Sequence, residues 1–263
     1  MDKNLIKMEF TNKTFDEDNS DFYDLEYFLG LEYRYLSGAH SSRVKNIFKH
    51  LKKLELKGKR VLDVGCGIGF FTNKMLELGA NVVGCDYSRY AVKFAKERYP
   101  KLKIIQHSAY EINLLGGNWD LITSFDVIEH LGRPEVFLRK AFQILKPNGK
   151  LVISTDNESY LFSRSPLNRL DNFLLRTSSS GRAYRLIKKV ESRRKQFKNY
   201  HRGHINVMSN DALIKKINQV GFQIKKVAVC NLVSIPILDI FLKILPLAIR
   251  GNHQLIIAAK RKR

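Results

Sequence analysis

The sequence predicts an α/β fold with a doubly wound, largely parallel sheet, and three observations predict it. Short apolar runs alternate with helix-like stretches from Arg60 to Ser154, the rhythm of repeated βαβ units. The first run, Arg60–Gly65, ends in a glycine-rich turn that leads directly into a helical pattern. Chain length and composition agree, since 263 residues with 44% hydrophobic side chains can bury a full core.

The elements follow in order. Phe70–Leu78 reads as a helix, Asn81–Cys85 as a second strand, and Ser88–Arg98 as a helix stopped at Pro100. Lys103–His107 and Trp119–Ser124 are the third and fourth strands. Pro134–Leu145 is a helix with proline in its first turn, where a missing N–H costs nothing. The turn Lys146-Pro147-Asn148-Gly149 leads into strand Lys150–Ser154. After Thr155 the period is lost until Ser209–Val220, a helix with Ser209 as N-cap and Gly221 as its stop. Phe222–Val229 and His253–Ala259 are the last strands. Four segments result: 1–57, helices expected at the edge of the sheet; 58–155, the ligand-binding half; 156–203, an inserted cap; and 204–263, the remainder of the same domain.

The formal net charge of +21 implies an anionic partner, whether nucleic acid, a membrane surface or an acidic substrate. It is unevenly spread. Residues 1–40 carry nine acidic side chains against four basic, whereas 163–203 carry twelve Lys and Arg against Asp171 and Glu191. Three cysteines, Cys66, Cys85 and Cys230, make no disulfide framework and fit a reducing cytoplasmic setting. The N-terminus lacks an apolar signal core. The apolar stretch Leu232–Ile249 is broken by Pro236, Asp239, Lys243 and Pro246, so it suits the membrane interface better than a span, and a peripheral membrane location is expected.

The central motif is Val61-Leu62-Asp63-Val64-Gly65-Cys66-Gly67-Ile68-Gly69. Glycines there let backbone approach a ligand where a Cβ would collide. Asp63, two residues before Gly65, suits a cationic group better than a pyrophosphate. Asp86 ends the next strand, 21 residues after Gly65, at a spacing that lets an acid accept ribose hydroxyls. The third glycine comes one residue too early for the dinucleotide pattern. The Asp126-x-x-Glu129-His130 group carries further chemistry. On a helical turn these positions share a face and could hold a divalent cation such as Mg, His130 could act as a general base beside Glu129, or the group could simply start a helix. His201 and His204 lie where the basic stretch ends.

The glycine block resembles motif I of the class I S-adenosylmethionine-dependent methyltransferases, and Trp119-Asp120-Leu121-Ile122 and Leu145–Leu151 resemble later parts of that family. The resemblance implies a Rossmann-like seven-stranded sheet with its last strand antiparallel. It also implies that S-adenosylmethionine is bound by Asp63, Gly65, Gly67, Gly69, Asp86 and Tyr87, with Ser108 and Ala109 bordering the adenine and Phe125 beside the cofactor. Gly58–Gly67, Phe125–Leu131 and Ile153–Asn157 are similar to the ubiquinone-biosynthesis O-methyltransferases, in which an arginine upstream of motif I touches the cofactor; Arg43 stands at that distance. That family has Glu in place of Asp126, and its N-terminus and cap differ from this chain's. The expected activity is O-methylation of a small or lipid-like acceptor. An RNA methyltransferase using the basic cap, or an enzyme acting on a glycan or glycolipid, is the alternative; no Asn/Asp-Pro-Pro-Tyr motif or Pro-Cys nucleophile is present.

Overall fold

The computed structural model describes residues 41–157, 205–230 and 253–261. Seven strands form one sheet: β1 (Arg60–Val64), β2 (Asn81–Asp86), β3 (Lys103–Gln106), β4 (Trp119–Phe125), β5 (Leu145–Asp156), β6 (Phe222–Cys230) and β7 (His253–Lys260). Their order is β3-β2-β1-β4-β5-β7-β6. Pairing is parallel from β3 to β5, and β7 runs antiparallel to both β5 and β6. The helices are α1 (Ser41–Lys52), α2 (Phe70–Glu77), α3 (Arg89–Arg98), α4 (Pro134–Ile144) and α5 (Asn210–Val220).

Alternation along the strands explains why helices cover both faces. Leu62, Ile122, Ile153 and Ile256 enter one core with Phe137 and Leu138 of α4 and Leu213 of α5. Their neighbours Val61, Leu121, Val152 and Leu255 enter the other, with Phe71 and Met75 of α2 and Ile47 and Leu51 of α1. Strands buried on both faces are near-continuous apolar runs, which is how these read in the sequence.

The caps behave as their residues dictate. The Ser88 hydroxyl accepts the Ala91 N–H at 3.3 Å at the start of α3, and Ser209 accepts the Ala212 N–H at 3.2 Å at the start of α5. Gly221 closes α5 in the left-handed region, at φ 107°. One element differs from expectation. Lys146–Gly149 is a bulge within β5 rather than a turn before it, since Trp119 pairs with Leu145 and Leu121 with Lys150. A Cβ on Gly149 would lie 2.9 Å from the Lys146 carbonyl oxygen, so the bulge needs glycine. Helix α1 packs against the edge strand β6, with Ile47 and Leu51 wholly buried. Residues 1–40, most of the basic stretch and the apolar 232–249 stretch, with His201 and His204, lie outside the described residues.

One buried carboxylate ties three elements together. Asp63, near the end of β1, accepts hydroxyl hydrogen bonds from Thr72 of α2 at 2.6 Å and Thr123 of β4 at 2.7 Å. Burial pushes its carboxyl up to about 6, and the two hydroxyls pull it back only in part. A raised folded value means the native state holds this proton more tightly than the unfolded chain does. The resulting stability is complete below the unfolded value near 4 and is lost as pH rises through 6. The difference in unfolding free energy between Asp63→Asn and the wild type should therefore move in the variant's favour by about 3 kcal/mol between pH 4 and 8. Urea unfolding across that range measures it, and a pH-independent difference would contradict the assignment.

Candidate cofactor and methyl-transfer site

The carboxyl ends of β1, β2, β3 and β4 lie along one edge of the sheet, where a doubly wound fold places ligands. The turn after β1 is glycine-rich for three different reasons. Gly65 has φ 69°, and a Cβ there would come within 2.2 Å of Val127 Cγ2, so it is required by packing. Gly69, at φ 78°, precedes α2, with Ala95, Leu102 and Tyr99 within 3.3 Å of where a Cβ would stand. Gly67, at φ 52°, faces open space, with nothing within 4 Å of the position a Cβ would take. That space is the cradle a close-lying ligand would use.

Asp86 fastens the cradle. Its Oδ2 accepts the Gly67 N–H at 2.8 Å and its Oδ1 accepts the Ser88 N–H at 2.9 Å. Burial raises its carboxyl above the usual range, against these two bonds. A carboxylate has about four acceptor positions, so two N–H bonds leave capacity for a diol. Tyr87 is 42% exposed beside it. Beyond β3, the His107 N–H bonds the Asp86 carbonyl at 2.9 Å, which sets Ser108 and Ala109 alongside the same cleft edge. The Ser108 hydroxyl accepts the Tyr110 N–H at 3.2 Å.

The end of β4 is built differently from the expected helical turn. Asp126 has φ 55°, and only Ile128–His130 forms a short 3₁₀ turn. Asp126, Glu129 and His130 therefore do not share a face. The Asp126 carboxylate is already engaged: it pairs with the buried Arg43 guanidinium of α1, with His253 Nε2 of β7 at 3.0 Å, and with the Ser154 hydroxyl of β5 at 3.2 Å. Burial alone would raise its carboxyl, but Arg43 first, then His253 and Ser154, hold it well below the usual range. Glu129 is fully buried; its Oε2 accepts the Thr155 hydroxyl at 2.8 Å, and its Oε1 has no hydrogen-bond partner. Burial, then the charges of Asp126 and Asp156, push its carboxyl well above the usual range. No three His, Cys, Asp or Glu side chains among the described residues form a metal-binding group. The expected divalent-cation triad is corrected on these grounds.

The chain returns onto this same turn after the basic stretch. The N–H groups of Ile205 and Asn206 both donate to the Glu129 carbonyl, at 3.0 and 2.9 Å, and the Asn206 side-chain amide donates to the Leu131 carbonyl at 3.0 Å. Asn157, at the end of β5, bridges Met208. Asn157 and Ile205, the described residues on either side of 158–204, thus both lie at the carboxyl ends of β4 and β5.

Comparison with known proteins identifies this arrangement. Residues 35–227, well over half of the chain, match the methyltransferase domain family. The chain belongs to that family. It is 34% identical over 110 residues to the mitochondrial ubiquinone biosynthesis O-methyltransferase of Schizosaccharomyces pombe, covering 40% of each chain. It is 33% identical over 113 residues to the ubiquinone biosynthesis O-methyltransferase of Coxiella burnetii, covering 41% of this chain and 48% of that protein. The chain thus spans two fifths to about half of the curated relatives it matches. Among solved structures, magnesium protoporphyrin IX methyltransferase of Synechocystis with bound SAH superposes with a TM-score of 0.60 at 15% identity, covering 92% of this chain and 97% of that one. An S-adenosylmethionine-dependent methyltransferase of Archaeoglobus fulgidus superposes at 0.59 with 20% identity, covering 90% and 100%.

The methyltransferase site uses some of the expected residues and turns others inward. Gly67, Asp86, Tyr87, Ser108 and Ala109 lie at the carboxyl ends of β1, β2 and β3. Asp63 is 2% exposed and bonded within the protein, so it positions the turn rather than meeting a cationic ligand group. Phe125 packs on Phe71, ring centroids 4.8 Å apart, in the core and not beside the cleft. Arg43 pairs with Asp126 instead of reaching toward a ligand. His253, Thr72 and Thr123 were not legible as site residues. The only hints were a histidine opening an apolar strand and hydroxyls interrupting apolar patterns.

The glycines give a direct test. Gly65→Ala should lower stability by about 3 kcal/mol, from the collision with Val127 and the positive φ. Gly67→Val should lower stability by about 1–2 kcal/mol yet weaken S-adenosylmethionine at least about tenfold in titration calorimetry. Equal binding by Gly67→Val and wild type would refute the cradle.

Proposed function

We propose that this methyltransferase acts on an oxygen of a small or lipid-like acceptor, of the class that includes polyprenyl quinol precursors. The observation that carries the reading is the short turn Val127–His130, which stands beside the Gly65 turn through the Val127 side chain and is braced by the returning Ile205–Asn206 backbone. That turn and the cradle lie at one sheet edge, where an acceptor would meet the cofactor. The likeness to the ubiquinone biosynthesis O-methyltransferases supports an oxygen acceptor.

The cofactor supplies an electrophilic methyl group on a sulfonium centre. The chain's part is alignment and exclusion of water. Gly67 and Asp86 would fix the nucleoside, with Tyr87, Ser108 and Ala109 along its flank. His130, half-buried, is the candidate to take a proton from the acceptor oxygen. Glu129, buried and bonded to the Thr155 hydroxyl, would hold the turn that carries His130, and the Arg43–Asp126–His253 cluster would fix that turn to α1 and β7. The twelve basic residues of 163–203 favour a second reading, in which the acceptor is RNA; a glycan or glycolipid acceptor fits the same site.

Incubation with radiolabelled cofactor and lipid, RNA and small-molecule extracts distinguishes these readings. Label is expected in the lipid or small-molecule fraction and not in RNA. With the acceptor so found, His130→Ala should lower kcat by roughly 10²–10⁴-fold while cofactor affinity changes little. Full turnover by His130→Ala would remove it from the reaction, and label confined to RNA would overturn the acceptor class.

A further inference from the structure

We propose that the outer face of α1, together with Lys226 on the adjoining edge strand β6, docks this enzyme on an anionic lipid surface. Lys45, Lys49, Lys52 and Lys53 stand at spacings of four, seven and eight residues, which makes one stripe along the helix, and all four are exposed. The opposite stripe, Ile47 and Leu51, is buried in the core, so the lysine face cannot rotate inward. α1 packs against β6. The ammonium groups of Lys226, Lys49 and Lys53 all lie near enough to His50, itself buried, to add to the burial that lowers its imidazolium.

Among the described residues nothing neutralises this face. None of the ion pairs among the described residues involves these five lysines. Between 41 and 60 the one acidic residue is Glu55. Like charges four residues apart destabilise a helix, so an external anion would relieve repulsion that the protein itself leaves in place.

The chemistry of the face favours lipid headgroups over nucleic acid. Its cations are all lysines, compact charges that suit a diffuse anionic plane, without the planar guanidinium forks that read phosphates and bases. It offers no stacking surface: the exposed large apolar side chains among the described residues are Tyr87, Leu114 and Ile205, all elsewhere. The sequence directly after β6 is the apolar Leu232–Ile249 stretch, which supplies the second signal that peripheral attachment needs. The choice of lipid rests on the lipid-like acceptor proposed above, but vesicle binding is read without methyl transfer, so either can fail alone.

The test is sedimentation of the full-length protein with vesicles of 30% phosphatidylglycerol in phosphatidylcholine, in 0.1 M salt, for wild type, K49Q/K53Q/K226Q, and a variant with Arg182, Arg185, Arg193 and Arg194 changed to Gln. The lysine variant should bind the anionic vesicles on the order of 100-fold more weakly, at about tenfold per 1.4 kcal/mol and about 1 kcal/mol per basic residue. It should keep its cofactor affinity and unfolding temperature. Neutral phosphatidylcholine vesicles should bind neither form. Four outcomes would overturn the proposal. One is wild type ignoring anionic vesicles, and another is the lysine variant matching wild type, as it would if the acidic 1–40 segment covered the stripe. The others are loss of vesicle binding in the arginine variant alone, and a greater loss of single-stranded RNA than of vesicles in the lysine variant.

Discussion

The buried Asp63 carboxylate is the constraint on which the rest of the site depends. It stands in the last turnable stretch of β1, and the hydroxyls of Thr72 and Thr123 hold it from α2 and β4. With β1 fixed between its neighbours, the chain has one way out: a turn whose first glycine rests on Val127 and whose second opens toward the cleft. Asp86 then fastens that second glycine from the next strand. Two acids that look alike in sequence do different work. One is spent inside the protein to shape the turn, and the other closes the turn while keeping acceptor capacity for a ligand.

The second half of the site is organised by ionic contacts across the sheet. Asp126 at the end of β4 draws in Arg43 from α1 and His253 from β7, so the first described helix and the last strand both meet at the methyl-transfer edge. Burying this cluster carries a desolvation cost that only the mutual pairing offsets. Glu129, three residues on, is buried and lies within reach of the Asp126 charge, and both push its carboxyl up. The same turn offers its Glu129 carbonyl to the returning backbone at Ile205 and Asn206. Core, candidate site and the returning Ile205–Asn206 backbone therefore share one short segment.

Much of this was legible in the sequence. All seven strands, the cap at Ser209 and the stop at Gly221 follow from local periodicity and from side-chain chemistry that acts over a few residues. The glycine turn and the place of Asp86 at the end of β2 were legible because both are set by spacing along the chain. What escaped were long-range pairings. Nothing local says that Asp126 adopts φ 55° and so breaks the helical spacing on which a metal triad with Glu129 and His130 depended. Nothing local joins Asp126 to a histidine 127 residues later, or turns Phe125 onto Phe71 and away from the cleft. Arg43 was singled out as a cofactor contact, and its pairing with Asp126 was not foreseen.

The central claim is that Asp86, fastened to Gly67, is the principal polar anchor of S-adenosylmethionine. Titration calorimetry of the cofactor onto wild type and Asp86→Ala, with thermal unfolding of both in parallel, tests it most directly. Losing two charge-assisted hydrogen bonds should weaken binding on the order of 100-fold, while the freed Gly67 and Ser88 N–H groups cost about 1–2 kcal/mol of stability. An Asp86→Ala protein that stays folded and binds the cofactor as tightly as wild type would contradict the account.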